Sequence, residues 1–439
     1  MNYFKSLFLL IVLSLSLIGC RVQLEPIQVL TFQQKIEKLF PNAKITQMEV
    51  TAHFTKAFQM VLNEPLDHNN PAAGNFEHYV YVSHSDETKP TVLVTEGYEA
   101  NPMTHELTRI FKGNQVQVEY RFYGKSRQDS IQWQYLTNDQ AVEDYHQLVT
   151  KLKRLYTGKW ISTGIGKGGE TVLIYKSKYP WDVEVAVPYG APLFITQEDP
   201  RAVAHLKTVG SDTCRVKITE FQREVLTNRE AILKEINSYA EVNEMSFKEI
   251  SIEEVLEYAV LDFPFSFWQS GGTCEAIPGK NASAKDQFDY MNSIVSFRLF
   301  NDKTYYDLLP FYYQHMKELG YYGFNTAPVR ELLSVVRKPT YMRFAPKNVD
   351  LTYNPNYIKG VRDYIENQGN RILYIYGEYD PWIACAPIVK PHVDSFKIVL
   401  EGGSQKTGIK QFTMEDKQLI YNKLQNWLGY SVTIYPLTE

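Results

Sequence analysis

The sequence predicts an α/β fold in which a largely parallel sheet is interrupted by a mostly helical insertion. Short apolar runs alternate with helical periodicity up to about residue 195 and again after about residue 345, and the stretch between them is mostly helical in pattern. Predominantly apolar runs such as residues 91–95 are typical of strands buried on both faces, as in a parallel sheet.

The composition is that of a globular chain long enough to bury a sizeable core. The 439 residues are 44% hydrophobic and 22% charged, which excludes disordered and multi-span membrane proteins. The net charge is only -4 and no basic stripe is present, so the electrostatic footprint of a nucleic-acid-binding protein is missing.

The elements are predicted in chain order from their hydrophobic patterns. Strands are expected at 91–95, 116–120, 160–163, 371–376 and 396–400. Thr137 and the polar residues after it favour a helix start, and apolar residues spaced by three and four continue that helix to near Tyr156. A further helix is expected over 171–179, ended by Pro180.

The N-terminus is predicted to be a targeting signal. Lys5 precedes an apolar run at 7–18, which is shorter than the roughly 20 residues a membrane span needs, and residues 17–20 read Leu-Ile-Gly-Cys. This end resembles a bacterial lipoprotein signal in which Cys20 is lipidated, with a plain secretory signal as the alternative. We therefore expect a lipid-anchored protein of the bacterial cell envelope, facing the periplasm by default because residues 21–23 show no acidic run.

Export would place the other cysteines in a disulfide-permissive compartment. With Cys20 lipidated, three cysteines remain, which allows one bridge at most. Cys214 and Cys274 lie in the same middle segment and could pair, which would leave Cys385 as a buried thiol. No Cys/His spacing suggests a zinc site, and no cofactor is predicted.

The glycine-rich turn at 164–169 (Gly-Ile-Gly-Lys-Gly-Gly) permits three interpretations. A dinucleotide site would need an acidic residue about 20 positions later, where Pro188-Tyr189-Gly190 stands instead. A nucleophile elbow of the type G-x-S-x-G fits the frame, with Gly166 at the nucleophile position. Taken alone, the glycines also fit a tight turn that needs them only for backbone reasons.

Several motifs in the same order resemble those of secreted serine tripeptidyl and prolyl aminopeptidases, relatives of lysosomal prolyl carboxypeptidase. They are residues 65–71 (Pro-Leu-Asp-His-Asn-Asn-Pro), 94–98 (Val-Thr-Glu-Gly-Tyr), 120–127 (Tyr-Arg-Phe-Tyr-Gly-Lys-Ser-Arg), 160–169 and 375–382 (Ile-Tyr-Gly-Glu-Tyr-Asp-Pro-Trp). The resemblance covers about residue 60 to the C-terminus. It implies an α/β-hydrolase domain with a helical cap, exopeptidase activity and a serine, aspartate and histidine triad.

Carried over by position, the triad is incomplete in this chain. Asp380, after a predicted strand, matches the aspartate. Gly166 stands where the family has serine in Ser-Lys-Gly-Gly, and Gln405 stands where it has histidine in Gly-Gly-Ser-His. Glycine offers no nucleophilic atom and glutamine cannot accept a proton at neutral pH. The last histidine, His392, precedes the final strand and is expected at its opposite end.

The resemblance also implies a binding apparatus that needs no triad. The backbone amides of Lys167 and of Gly97 would form an oxyanion hole. Glu96, with Tyr98 beside it, is the first candidate to hold the α-ammonium group of a peptide, ahead of Glu99 and Glu170. Alternatively, Glu96 is an ordinary turn carboxylate paired with a basic group.

The resulting organisation is a signal peptide (1–19), a tether leading into the fold (20–50), a hydrolase domain in two parts (51–195 and 346–439) and a helical cap (196–345). Two functions of different class follow. One is a non-catalytic homologue that binds peptides, and the other is an active serine exopeptidase that releases short peptides from peptide N-termini. Gly166 at the elbow and Gln405 in the final loop favour the non-catalytic homologue.

Overall fold

The computed structural model describes residues 30–429 and 431–437. The predicted signal and the lipidation position Cys20 lie outside the described residues. Among the residues that are described, no helix is both long and apolar enough to cross a membrane.

A nine-stranded sheet forms the centre of the described structure. The strands of the chain are β1 (Lys44–Gln47), β2 (Lys56–Pro65), β3 (Asn75–His84), β4 (Thr91–Thr95), β5 (Asn114–Val118), β6 (Trp160–Ile165), β7 (Val185–Tyr189), β8 (Glu198–Asp199), β9 (Tyr321–Tyr322), β10 (Leu373–Gly377) and β11 (Phe396–Leu400). The sheet order is β1-β2-β3-β5-β4-β6-β7-β10-β11, while β8 and β9 form a separate two-stranded ribbon. All pairs from β5 to β11 are parallel, and β1, β2 and β3 add an antiparallel edge.

Helices cover both faces of this sheet. The α-helices are α1 (Phe32–Leu39), α2 (Glu106–Phe111), α3 (Asn138–Leu152), α4 (Lys167–Lys178), α5 (Pro200–His205), α6 (Asp212–Thr227), α7 (Arg229–Val242), α8 (Ile252–Ser270), α9 (Ala284–Ile294), α10 (Asp302–Gln314), α11 (Pro355–Gln368) and α12 (Met414–Leu428). Helices α1, α3, α4 and α11 contribute to the core on one face, and α2 and α12 to the core on the other. Because both faces are covered, the central strands are almost wholly buried.

The cap is inserted between β7 and α11 and has a hydrophobic core of its own. Its central helix α8 begins at a capping box, in which the Ser251 side chain accepts from the Glu254 amide, and it ends at Gly271 in the left-handed conformation. A disulfide joins Cys214 on α6 to Cys274 beyond α8, as the sequence allowed, and Cys385 is a buried free thiol.

Several boundaries differ from the sequence prediction. Strand β5 is Asn114–Val118 rather than 116–120, because the polar Asn114 side chain is buried at its start, where it accepts from the backbone amides of Ser85 and Asp86. Helix α4 begins at Lys167, directly after the elbow, instead of at residue 171. Helix α3 starts after Thr137 as predicted but ends at Leu152, four residues early.

The pattern did not reveal the antiparallel edge. Strands β2 and β3 lie within the first predicted half of the hydrolase domain, and α1 and β1 lie within the segment 20–50. Phe32 and Ile36 of α1 are buried in the sheet core, so this part of the segment belongs to the packed fold.

Candidate functional site

The turn between β6 and α4 has the geometry of a strand-to-helix elbow. Gly166 adopts φ +55° and ψ -117°, a conformation that L side chains rarely take. Its amide donates to Tyr189 O (2.9 Å), and its carbonyl accepts from the Glu170 amide (2.9 Å). The chain also passes close by at Gly168, where an added Cβ would lie 2.5 Å from Thr95 O. Glycine is thus needed here both for conformation and for close packing.

The two other triad positions meet at this elbow. A Cβ added to Gly166 would lie 3.0 Å from Gln405 Nε2. A Cβ added to Gly190 would lie 3.0 Å from Asp380 Oδ2 and 3.7 Å from Gln405 Cγ. The structure therefore brings Gly166, Asp380 and Gln405 together at the carboxyl ends of β6, β10 and β11.

Asp380 is fully buried and only half satisfied. Its Oδ1 accepts from the Trp382 amide (3.2 Å), whereas Oδ2 has no hydrogen-bond partner in the described part of the chain. Burial raises the pKa of Asp380 to about 8, so the neutral acid predominates at pH 7. A histidine at position 405 would offer a ring N–H to such an oxygen, and Gln405 makes no hydrogen bond to it.

The amides predicted for the oxyanion hole lie side by side. A Cβ added to Gly97 would be 2.6 Å from Lys167 Cβ and 2.8 Å from Gly168 N. Within residues 30–429 and 431–437, neither the Gly97 nor the Lys167 amide has an acceptor. Two free amides thus lie at the first turn of α4, where the helix dipole favours negative charge.

A cavity of about 390 Å³ lies between this elbow and the cap. A volume of this order is in the usual range of small-molecule sites. The sheet side contributes Tyr98, Ile165, Gly166, Lys167, Glu170, Pro192, Trp382 and Gln405, and the cap contributes Gln269, Leu299, Leu308, Phe311, Tyr312, His315 and Tyr321.

Of the two predicted substrate-binding residues, only Tyr98 lines this cavity, where it stacks against Phe311 of the cap with ring centroids 5.7 Å apart. Glu96 does not line it, contrary to the prediction. Its Oε1 accepts from Gln117 Nε2 (2.7 Å) on β5, and burial raises its pKa to about 7. The partner of Glu96 is thus the Gln117 side-chain amide, and not the basic group expected if Glu96 were an ordinary turn carboxylate.

Glu170 is the carboxylate that lines the cavity, and sequence reasoning ranked it behind Glu96. It is 1% exposed, and neither carboxylate oxygen has a partner among the described residues. Burial raises its pKa to about 8. The sequence feature that could have identified Glu170 is its position one helical turn after Gly166, which places it on the face of α4 that meets the cavity.

Two more buried groups surround Glu170. Lys167 Nζ lies 3.7 Å from the Tyr120 ring centroid, and burial lowers the lysine pKa to about 7. His315 Nδ1 bonds to Gly320 O (2.7 Å), Nε2 is left without a described partner, and burial lowers the histidine pKa to about 3. His315 comes from the cap, so only the fold reveals that a histidine reaches the cavity.

One group of potential metal ligands lies away from the elbow, at Glu64, His68 and Asp144, with ligand atoms within 4.8 Å of one another. Asp144 is already engaged by His68 Nε2 (2.6 Å) and, through both oxygens, by the buried Arg121 guanidinium (2.7 and 2.8 Å). A metal ion here would have to compete with the Arg121 charge, so these residues fit an ion-pair network better than a metal site.

The parallel sheet, the elbow after β6 and the carboxylate after β10 define an α/β-hydrolase fold. A family model described as PS-10 peptidase S37 matches residues 38–433, and the chain belongs to the peptidase S37 family. The prolyl tri/tetrapeptidyl aminopeptidase of Streptomyces mobaraensis is 30% identical over 383 residues, which cover 84% of this chain and 80% of the relative. The family resemblance predicted from the motifs is confirmed.

The chain also aligns with solved structures at low identity. The proline iminopeptidase of Mycobacterium smegmatis is 12% identical with a TM-score of 0.42, over 84% of this chain and 98% of that chain. A proline iminopeptidase-related protein of Thermus thermophilus is 13% identical with a TM-score of 0.39, over 88% of this chain and 98% of that chain.

Proposed function

We propose that this protein is a non-catalytic, lipid-anchored member of the peptidase S37 family that binds peptides in the cavity beneath its cap. The observation that carries the proposal is the pairing of Gly166 with Gln405, whose Nε2 lies where a catalytic base would face a serine side chain. Acyl transfer by this fold needs a nucleophilic oxygen or sulfur at the elbow and a proton acceptor beside it. Neither side chain supplies one.

His315 does not replace the missing base. It lines the cavity, but burial lowers its pKa to about 3, so its affinity for a proton is too weak for efficient general-base catalysis near neutral pH. The neighbouring Lys167 charge acts in the same direction.

Within this proposal, Glu170 binds the α-ammonium group of the peptide. An unpartnered carboxylate that is 1% exposed gains most from a cationic ligand, because the ligand supplies the hydrogen bonds that the fold leaves unmade. Glu96 already has its partner in Gln117.

The catalytic part of the proposal is tested with tripeptidyl and prolyl chromogenic substrates. We expect no hydrolysis by the soluble part of the protein and measurable hydrolysis by a Gly166→Ser, Gln405→His double variant. Each single variant serves as a control, since it carries only two of the three triad members. Hydrolysis by the unaltered protein that a serine-directed reagent abolishes would instead establish the active exopeptidase.

The anchoring residue is tested by calorimetry with the tripeptide Ala-Ala-Pro as its C-terminal amide, with and without N-acetylation. Acetylation and Glu170→Gln should each weaken binding at least tenfold. Glu96→Gln is the matched control and should leave binding unchanged. The reverse pattern would return the anchor to Glu96.

Lipid anchoring is tested in cells. The full-length protein should incorporate a labelled fatty acid and partition with the membrane fraction, and Cys20→Ser should abolish both. Release of an unlabelled, processed wild-type protein would indicate a plain secretory signal.

A further inference from the structure

The elbow of this protein can accept a permanent negative charge. In a catalytic homologue, such amides face an oxyanion that exists only while a serine is bonded to the substrate. Here Gly166 leaves that space without a side chain, and the Gly97 and Lys167 amides keep their hydrogens unpaired in the described structure. The Gln405 side chain also has no hydrogen-bond partner among the described residues, and its Nε2 lies 3.0 Å from where a Cβ added to Gly166 would stand. A carboxylate would satisfy all three donors.

The same cavity holds a receptor for positive charge. Glu170 is 1% exposed and unpartnered within the described chain, and its amide bonds to Gly166 O (2.9 Å), which places the carboxylate one turn along α4 from the elbow. Three helical steps advance about 4.5 Å along the axis, and the glutamate side chain extends a few ångströms away from the axis. One peptide residue spans at most about 3.6 Å, so two or three residues bridge the two receptors.

We propose that the ligand is a free peptide of two or three residues, held at its C-terminal carboxylate by the Gly97 and Lys167 amides and Gln405 Nε2, and at its α-ammonium by Glu170. This inference rests on the proposed function and specifies its ligand. The chemistry selected is that of a product released by a tripeptidyl aminopeptidase, rather than that of the longer peptide on which such an enzyme acts.

Binding should release a proton from the protein. Burial raises the pKa of Glu170 to about 8, and an ammonium group beside the carboxylate would lower it, so the acid ionises as the ligand binds. Besides Lys167, whose pKa burial lowers to about 7, the titratable groups around Glu170 are Tyr98, His315, Tyr321 and Tyr353. Burial raises the pKa of each tyrosine and lowers that of His315, so all four remain neutral at pH 7.

The test compares four probes by calorimetry at pH 7: the tripeptide Ala-Ala-Pro, its C-terminal amide, its N-acetyl form, and a pentapeptide that begins with the same three residues. The prolyl sequence is chosen because the Streptomyces relative is named for prolyl tri/tetrapeptidyl activity. The free acid should bind at least tenfold more tightly than the amide, since hydrogen bonds to a charged acceptor are stronger than those to a neutral one. The pentapeptide should bind no better than the amide. Titrations in buffers of different ionisation enthalpy should show proton release that Glu170→Gln removes.

Two variants separate the carboxylate contact from the rest of the site. Gln405→Glu places like charge against the ligand carboxylate and should remove or reverse the preference for the acid over the amide. Gln405→Leu removes the donor without adding charge and should reduce that preference. Equal affinity of the unaltered protein for acid and amide would overturn this inference and leave the proposed function standing. Failure of every probe to bind would overturn both.

Discussion

At the scale of single residues, Gly166 determines both the backbone conformation of the elbow and the absence of a nucleophilic side chain there. A residue with a Cβ at φ +55° and ψ -117° stores strain that catalytic hydrolases tolerate because the turn presents their nucleophile. This chain retains the turn with a glycine, which adopts it at little cost. The glycine therefore leaves the surrounding fold unstrained at this position.

Gly166→Ala should lower the free energy of unfolding by about 1–3 kcal/mol, the usual cost of forcing an L side chain into such a conformation. The new Cβ must also displace the Gln405 carboxamide, which lies 3.0 Å away. Urea denaturation measures the loss. Gly360→Ala is the matched control, because Gly360 lies within α11 with no neighbouring atom within 4 Å of an added Cβ, and it should stabilise by about 0.5–1 kcal/mol. Equal effects of the two substitutions would contradict the strain at the elbow.

Asp380 should make stability depend on pH. Its folded pKa of about 8 is raised above the ordinary 3.8, so its contribution to stability is complete below about pH 4 and is lost as the pH rises to about 8. The slope is at most about 1.4 kcal/mol per pH unit. Asp380→Asn should flatten this dependence and stabilise the protein at pH 8 relative to wild type. Denaturant titrations from pH 4 to 8 measure it, with the exposed Asp289→Asn as control. Parallel curves for wild type and Asp380→Asn would refute the buried acid.

The sequence was sufficient to predict which triad positions meet, because Gly166, Asp380 and Gln405 each follow a strand of one parallel sheet. It was not sufficient to choose between carboxylates. Whether Glu96 or Glu170 faces the cavity depends on side-chain direction at the end of β4 and on a cap that begins more than 15 residues after α4. His315 illustrates the same limit, since only the packed cap brings it to the elbow.

At the scale of elements, the disulfide links the first turn of α6 to the segment that follows α8. The bonded cysteines are separated by 60 positions along the chain, and Cys214 is buried in the cap core. Helix packing alone must otherwise hold these two segments together. The bridge therefore stabilises the cap mainly by restricting its unfolded state.

Replacing both Cys214 and Cys274 with serine should cost about 2–4 kcal/mol of stability, the range usual for a disulfide that closes a long loop. Thermal unfolding with and without a reducing agent measures it. Reductant should lower the unfolding temperature of the wild type to that of the variant and leave the variant unchanged. A wild type insensitive to complete reduction would show that helix packing suffices.

Prediction of the elements succeeded where pattern and burial agree. The runs at β4 and β11 are apolar throughout or nearly so, and their boundaries match the structure. Strand β5 was displaced because Asn114 and Gln115 are buried with their polar groups bonded, which an apolar pattern cannot reveal. The antiparallel edge was missed because β2 carries polar residues such as Asn63 and Glu64, and its pairing with β3 is fixed by packing.

At the scale of the whole molecule, a hydrogen-bonded chain joins the cap to the sheet domain. Gln314 Nε2 at the end of α10 donates to the Tyr120 hydroxyl (2.9 Å), which donates to Asn138 Oδ1 (2.9 Å). Glu318 closes the chain by accepting from the backbone amide and side chain of Asn138 (2.9 and 2.7 Å). The Tyr120 ring also contacts Lys167 Nζ, and Lys167 lines the cavity. These hydrogen bonds therefore connect the cap to a residue of the cavity wall.

Glu318→Ala should destabilise the docked cap by about 1–3 kcal/mol, because it leaves buried donors of Asn138 without an acceptor. Hydrogen exchange across α10 and the N-terminal turn of α3 should increase, as should the susceptibility to urea. Glu318→Gln retains an acceptor oxygen and should have less than half the effect. If the two variants were equally destabilised, the hydrogen bonds to Asn138 would not be what holds the cap.

The bare Gly166 turn has a consequence for how this protein is detected. Fluorophosphonate probes mark serine hydrolases by forming a bond to the activated side-chain oxygen at the elbow. Position 166 offers no atom for that bond. Under the proposed function, a survey by such labelling would pass over this protein however abundant it is, while marking relatives that retain the serine. The amount of this protein has to be measured by methods that detect the folded chain or its ligand, because position 166 has no side-chain atom that a covalent probe could label.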